Sequence, residues 1–127
     1  MDNTIVWADI PVTDLDRAMK FYSAVLQHDF VKIEGMEGVA LLAPDPGAAM
    51  EGPGPVSIDL VVVQDGKPSA DGCTIYLNSQ GDPEGMLQRA AQAGGQILTP
   101  VTYMGEMVGS IGFFLDSEGN RIGVHSG

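Results

Sequence analysis

The chain has 127 residues, 44% of them hydrophobic, which fits one folded domain with a substantial core. Seventeen acidic residues against six basic ones give a net charge of −11, so neither a nucleic acid nor an anionic membrane is an expected partner. The sequence opens with no cationic, apolar leader and contains no apolar run near the roughly 20 residues that cross a bilayer. A cytoplasmic location is therefore expected. The single cysteine, Cys73, is predicted to be a small buried hydrophobe within a strand.

The first predicted strand, residues 4–12, alternates between two faces. Ala8, Ile10 and Val12 fall on the face that packs against the helix, and Trp7 and Asp9 fall on the other. The remaining predicted strands are Phe30–Glu34, Val39–Ala43, Val56–Val63, Cys73–Ser79, Ile97–Val101, Ser110–Leu115 and Arg121–His125. A loop is predicted over Pro44–Pro55, where glycine, proline and alanine break the pattern.

Two helices are predicted from capping residues and apolar spacing. Thr13 is expected to cap the first, and the second is expected to begin at Asp82-Pro83 and to end at Gly94-Gly95. Their apolar stripes comprise Leu15, Ala18, Met19, Tyr22, Val25 and Leu26, and Met86, Leu87, Ala90 and Ala91. The order βαβββ therefore occurs twice, in module 1 (about residues 4–64) and module 2 (about residues 72–126) of a single domain over residues 1–127.

Three segments carry more specific information: DIPVTDLDRAMKFYSAVL, GCTIYLNSQGDPEGMLQRAAQAGGQILTPVTYM and the closing hairpin GFFLDSEGNRIGVHS. The hairpin turns at residues 117–120, where Gly119 can take a positive φ and Asn120 tolerates one. These segments resemble the vicinal-oxygen-chelate superfamily of glyoxalases, bleomycin-resistance proteins and ring-cleaving dioxygenases, in particular its lactoylglutathione-lyase-related branch. The resemblance implies an α+β fold in which two βαβββ modules form a cupped mixed β-sheet with helices on the outer face. It also implies a homodimer.

The resemblance further implies four positions where metalloenzymes of the superfamily place metal ligands. In this sequence those positions hold Trp7, Asp59, Thr74 and Gly123. Only Asp59 is an ordinary metal ligand, whereas divalent metal sites in enzymes need about three protein ligands and an open position. No metal and no other cofactor is therefore expected.

Strand alternation indicates which side chains line the concave face of the cup. The predicted ligand-binding residues are Trp7, Asp59, Thr74, Tyr76 and Asn78, together with Tyr103, Met104 and Met107 of a loop that would close over the face. Apolar walls with a few convergent polar groups are typical of a pocket for a small ligand.

His125 and Asp9 are the catalytic candidates on the same face. An imidazole changes its charge near neutral pH and can act as an acid or a base. Each residue also has a structural interpretation. His125 would then be exposed or satisfied by a neighbouring carboxylate, and Asp9 would be a hydrogen-bonded structural carboxylate or part of a dimer interface.

Three functions follow from these residues. The first hypothesis is a protein that binds a small organic ligand on the concave face without a metal. The second is an enzyme of the lyase, isomerase or epimerase type with a non-standard site of Asp9, Asp59 and His125, whose side chains would have to converge. The third is a non-catalytic interaction domain that functions through its dimer surface.

Overall fold

The computed structural model describes residues 5, 7–43, 57–62 and 67–127, and its elements follow the order βαβββ twice. Module 1 contains β1 (Trp7–Val12), α1 (Leu15–Leu26), β2 (Phe30–Lys32), β3 (Val39–Leu42) and β4 (Ser57–Val62). Module 2 contains β5 (Ile75–Asn78), α2 (Pro83–Gln92), β6 (Gln96–Tyr103), β7 (Ser110–Leu115) and β8 (Arg121–Ser126). The loop predicted over Pro44–Pro55 lies outside the described residues.

The described strands form two four-stranded mixed sheets, in the orders β1-β4-β3-β2 and β5-β8-β7-β6. In each sheet the first strand of the module pairs in parallel with the last, and the other pairs are antiparallel. Helices α1 and α2 pack against each other and against the strands of their own modules. The predicted α+β architecture of two βαβββ modules is confirmed, with each module contributing its own sheet.

The largest buried side chains join the two modules into one core. Phe21 and Tyr22 of α1 are 2% and 0% exposed, and Phe114 of β7 is 0% exposed. The ring of Phe21 meets Tyr22 edge-on at 5.0 Å and lies 5.9 Å from Phe114. Phe21 is absent from the predicted stripe, although it packs as centrally as Tyr22. Ala91 of the second predicted stripe is exposed, which corrects that prediction.

Two local predictions are wrong for identifiable physical reasons. The N-cap of α1 is Asp14, whose carboxylate accepts a hydrogen bond from the Arg17 backbone N–H at 3.0 Å. Thr13 instead donates its N–H and hydroxyl to Glu118. Cys73 is exposed and precedes β5, because that strand begins only at Ile75.

The turn between β7 and β8, residues 116–120 (the closing turn), is bonded mainly to residues far away in sequence. Asp116 is 5% exposed, and its carboxylate accepts hydrogen bonds from the Tyr22 hydroxyl, from the backbone N–H groups of Glu118 and Asn120, and from the Asn120 amide. The Asn120 amide also donates to the Pro11 carbonyl at 2.8 Å. Burial, followed by the charge of Asp116, raises the pKa of Tyr22 well above 10.0. The closing turn therefore fastens module 2 to module 1.

Glu118 supplies the second connection between the closing turn and α1. Its carboxylate accepts hydrogen bonds from Thr13, from the Asp14 N–H and from the Arg17 guanidinium, whose Nε lies 2.7 Å away. Burial alone would raise the pKa of Glu118, but the bonds from Arg17, Asp14 and Thr13 prevail and lower it from 4.5 to about 2. A negative charge at this position also suits the positive end of the α1 dipole.

No helix within the described residues is long and apolar enough to cross a membrane.

Candidate functional site

The strands place the predicted concave-face residues opposite the helices. Trp7 and Tyr76 are 61% and 49% exposed, whereas their strand neighbours Ile10 and Leu77 are 1% and 5% exposed and belong to the core. Alternation along β1 and β5 thus separates a solvent-facing set from a helix-facing set, as the sequence pattern predicts.

Tyr76, Gly123 and Phe113 form a cross-strand row on β5, β8 and β7. Gly123 is the register partner of both aromatic residues. The ring of Tyr76 lies over the glycine so closely that a Cβ at position 123 would be 2.5 Å from Tyr76 Cδ1 and 2.7 Å from Cε1. The two aromatic rings meet edge-on, with centroids 5.7 Å apart. The absence of a side chain at Gly123, where metalloenzymes of the resembled superfamily carry a glutamate, therefore makes room for an aromatic ring.

Substituting Gly123 with alanine tests this packing. The new methyl group is expected to displace the Tyr76 ring from Phe113 and to lower the free energy of unfolding by about 1–3 kcal/mol. In a Tyr76→Ala background the same substitution is expected to be neutral or stabilising, because a strand glycine costs about 0.5–1 kcal/mol relative to alanine. Urea unfolding of the four proteins measures the coupling. An equal cost in both backgrounds would contradict the packing account.

Arg121 lies beside this row and was not among the predicted site residues. Its guanidinium carbon sits 3.9 Å from the centroid of the Phe113 ring, and its Nη1 donates to the Thr74 hydroxyl at 2.8 Å. Stacking on a ring and one hydrogen bond fix the orientation of a guanidinium whose other N–H groups can still bind an acceptor. The sequence could have identified Arg121, since the strand alternation that places Gly123 and His125 on one face places position 121 on that face too.

Asp9 and Asp59 are brought together as direct register partners of the parallel strands β1 and β4. Burial, followed by the negative charge of Asp9, raises the pKa of Asp59 above its ordinary value of 3.8. A catalytic role for Asp9 remains a prediction.

His125 lies near the C-terminal end of β8, four residues beyond Arg121, and is in register with Asn78 of β5. Its Nε2 lies 2.6 Å from the Val108 carbonyl. A carbonyl only accepts hydrogen bonds, so this nitrogen carries the proton and only Nδ1 is available as a base. His125 thus holds the loop between β6 and β7, and its catalytic role remains a prediction.

That loop, residues 104–109, carries two of the three predicted lid residues. It is closed by backbone bonds from Met104 N–H to the Gly109 carbonyl at 2.7 Å and from Gly109 N–H to the Gly105 carbonyl at 2.8 Å. Tyr103, Met104 and Met107 are 65%, 53% and 100% exposed, so their side chains project outward. Their roles in ligand binding, and the predicted homodimer, remain predictions.

Among the described residues, three cavities are lined by both modules, and two of them lie at the start of β5. The larger, of about 620 Å³, falls within the roughly 300–1,000 Å³ that small-molecule pockets occupy. It is lined by Ile5, Ala8, Leu26, Leu42, Ser57, Ile58, Thr74, Ile75, Tyr76, Leu77, Asn78 and Gln80. The predicted ligand-binding residues Thr74, Tyr76 and Asn78 are therefore brought together, whereas Trp7 and Asp59 lie outside this cavity.

The smaller cavity has a volume of about 200 Å³, and its wall includes the charged residues Asp9, Lys67 and Arg121. It is lined by Asp9, Ile10, Pro11, Lys67, Ser69, Gly72, Cys73, Ile75, Asn120, Arg121 and Ile122. Ile75, at the start of β5, lines both cavities.

The residues at the four expected ligand positions do not suit the metal ion that metalloenzymes of the vicinal-oxygen-chelate superfamily bind. The indole of Trp7, the hydroxyl of Thr74 and the missing side chain of Gly123 offer no ordinary ligand, and Thr74 already accepts a hydrogen bond from Arg121. In the part of the chain that the structure describes, no three His, Cys, Asp or Glu side chains are grouped to hold a metal ion. Asp9, Asp59 and His125 accordingly do not converge on one metal-sized space.

Paired βαβββ modules with their helices on the outer side and a concave strand face define the glyoxalase-like class of proteins. The sequence model of the Glyoxalase/Bleomycin resistance protein/Dioxygenase superfamily matches residues 4–124, and the chain belongs to that superfamily. No protein of curated function matches the sequence significantly.

Solved structures with the same fold cover almost the whole chain. A glyoxalase/bleomycin resistance protein from Albidiferax ferrireducens has 16% identity and a TM-score of 0.72, covering 96% of this chain and 97% of its own. A glyoxalase-related enzyme from Fulvimarina pelagi has 13% identity and a TM-score of 0.67, with coverages of 98% and 88%. The fosfomycin resistance protein FosX from Listeria monocytogenes has 12% identity and a TM-score of 0.64, with coverages of 100% and 93%. At these identities the similarities show a common fold.

Proposed function

We propose that this protein binds a small organic molecule in the larger cavity and that it does so without a metal ion. The observation that carries the proposal is the cavity of about 620 Å³ whose wall contains Thr74, Tyr76 and Asn78. Its remaining wall is mostly aliphatic, and a mainly apolar cavity with a few polar groups is the usual form of a small-ligand site.

The chemistry of the concave face supports binding in preference to metal-assisted catalysis. Gly123 is used to seat an aromatic ring, and Thr74 is used to orient a guanidinium. Both positions would hold metal ligands in a metalloenzyme of this superfamily. The names of similar structures, which include resistance proteins, are compatible with a protein that sequesters its ligand.

A ligand screen followed by a cavity-filling variant tests the proposal. Native mass spectrometry of EDTA-treated protein against a library of small neutral, acidic and basic compounds identifies binders. Ser57, half-buried on β4, lines the cavity, and Ser57→Phe is expected to weaken binding of a hit at least about tenfold by occupying ligand space. Isothermal titration calorimetry measures the change.

The matched control is Val31→Phe, which adds a ring at an exposed position of β2 outside the cavity lining. It is expected to leave the affinity unchanged. A complete absence of hits, equal affinities for Ser57→Phe and Val31→Phe, or binding that requires a stoichiometric metal would each contradict the proposal.

A further inference from the structure

Two of the six basic residues of this acidic chain, Arg121 and Lys67, line the same cavity of about 200 Å³. Three of the others, Arg17, Lys32 and Arg89, lie between 2.7 and 3.9 Å from acidic side chains. A net charge of −11 repels anions from the surface as a whole. The smaller cavity therefore brings two cations together beside one carboxylate, Asp9, in a protein that is otherwise strongly acidic.

Arg121 is prepared to bind an anion before any ligand arrives. Its guanidinium rests 3.9 Å from the Phe113 ring centroid, and the Thr74 hydroxyl holds Nη1 at 2.8 Å. A guanidinium presents a planar fork of donors that matches a carboxylate, and prior orientation reduces the entropy lost on binding. Ser69 lines the same cavity and places a hydroxyl group beside these cations.

The small cavity and the large one lie side by side at the start of β5. Ile75 lines both cavities, and Thr74 lines the large one while accepting the hydrogen bond from Arg121. Arg121 is therefore bonded directly to a wall residue of the large cavity, whose apolar lining includes Leu26, Leu42 and Ile58.

From this adjacency we infer that the ligand is a small organic monoanion, whose carboxylate or similar group binds Arg121 and Lys67 and whose apolar part occupies the larger cavity. The inference rests on the proposed function, because it specifies the ligand class for that cavity. A single negative charge is favoured, since Asp9 also lines the small cavity and would repel a second one.

Three probes of equal length test the inference: hexanoate, hexanamide and hexylammonium, each titrated into the full chain and followed by backbone amide NMR. Hexanoate is expected to bind at least about tenfold more tightly than the other two, because charge-assisted hydrogen bonds to a guanidinium exceed neutral ones. Arg121→Gln is expected to remove that advantage, and Arg121→Lys to restore part of it because the charge returns without the fork.

Lys20→Gln is the matched control, since it removes one positive charge from an exposed site on α1 outside the cavity lining. Lys67→Gln provides a second variant that leaves the stack on Phe113 intact, should Arg121→Gln fail to fold, and is expected to weaken hexanoate about threefold or more. Equal binding of hexanoate and hexanamide, failure of all three probes to bind, or equal effects of Arg121→Gln and Lys20→Gln would overturn the inference. If the inference failed but Ser57→Phe weakened the binding of a screen hit, the proposed function would still stand. If no such hit were found, the inference and the proposed function would both be wrong.

Discussion

Replacing Asp116 with alanine is expected to lower the free energy of unfolding by about 3–5 kcal/mol, because a buried hub of hydrogen bonds loses its only acceptor. The carboxylate receives bonds from the Tyr22 hydroxyl, from two backbone N–H groups of the closing turn and from the Asn120 amide. Domains of this size are stable by about 5–15 kcal/mol, so the loss is a large fraction of the total. Urea unfolding followed by circular dichroism measures it.

Two further variants make the Asp116 result interpretable. Tyr22→Phe removes only the hydroxyl at the opposite end of one bond and is expected to cost about 1–2 kcal/mol. Asp71→Ala makes the same substitution at an exposed position and is expected to change stability by no more than about 0.5 kcal/mol. If Asp116→Ala proved no more destabilising than Asp71→Ala, the closing turn would not hold the modules together as described.

Glu118→Gln is expected to remove stability at neutral pH and to have little effect in strong acid. The pKa of Glu118 falls from 4.5 to about 2 on folding, so its contribution is complete above about pH 5 and disappears as the pH falls through the range between 4.5 and about 2. That difference corresponds to about 3 kcal/mol at pH 7, and solvent screening at the half-exposed Arg17 reduces it to about 2 kcal/mol. Unfolding free energies at several pH values between 2 and 7 measure the effect.

The control for this series is Glu106→Gln, at an exposed glutamate on the loop between β6 and β7. It is expected to change neither the stability nor its pH dependence. Wild type and Glu118→Gln should converge as the solution is acidified. A difference between them that stays constant from pH 7 to pH 2 would show that the charge of Glu118 does not contribute.

The architecture could be predicted from the sequence because local patterns encode it. Alternation along β1 separates Trp7 from Ile10, and the Asp82-Pro83 pair marks the start of α2 with its cap and first residue. The closing turn was equally accessible, since Gly119 has the positive φ of 95° that its position requires. Each of these features depends on residues only a few positions apart.

The functions of the side chains in the closing turn could not be predicted in the same way. Glu118 contacts Thr13 across 105 residues, and Asp116 contacts Tyr22 across 94. No short-range spacing encodes such pairs, and a polar residue in a turn is usually solvated. The sequence consequently suggested Thr13 as a helix cap, although its hydroxyl bonds a glutamate from the other module.

The candidate site was predicted in part. Thr74, Tyr76 and Asn78 do line one cavity, but Ile75 and Leu77, which alternation assigns to the helix side, line it as well, so the binding role of these residues stays a prediction. Alternation could not show that the Tyr76 ring fills the space above Gly123, since this depends on the rotamer of an aromatic residue on a parallel neighbour. Alternation also could not show that Asp9 and His125 lie toward different ends of the face. The pattern within one strand does not determine how the two sheets are placed relative to each other.

The bonds of the closing turn also bear on the order in which the chain folds. The bonds that join it to β1 and α1 have partners 94 to 109 residues apart, so each of them closes most of the polypeptide into a loop. Long-range contacts of this kind are associated with slow folding, since the entropy of loop closure must be lost before the contact is gained. The start of α1 gains its bonds from Glu118 only when the closing turn has docked on it, so the first helix of the chain is completed by a residue from the last hairpin.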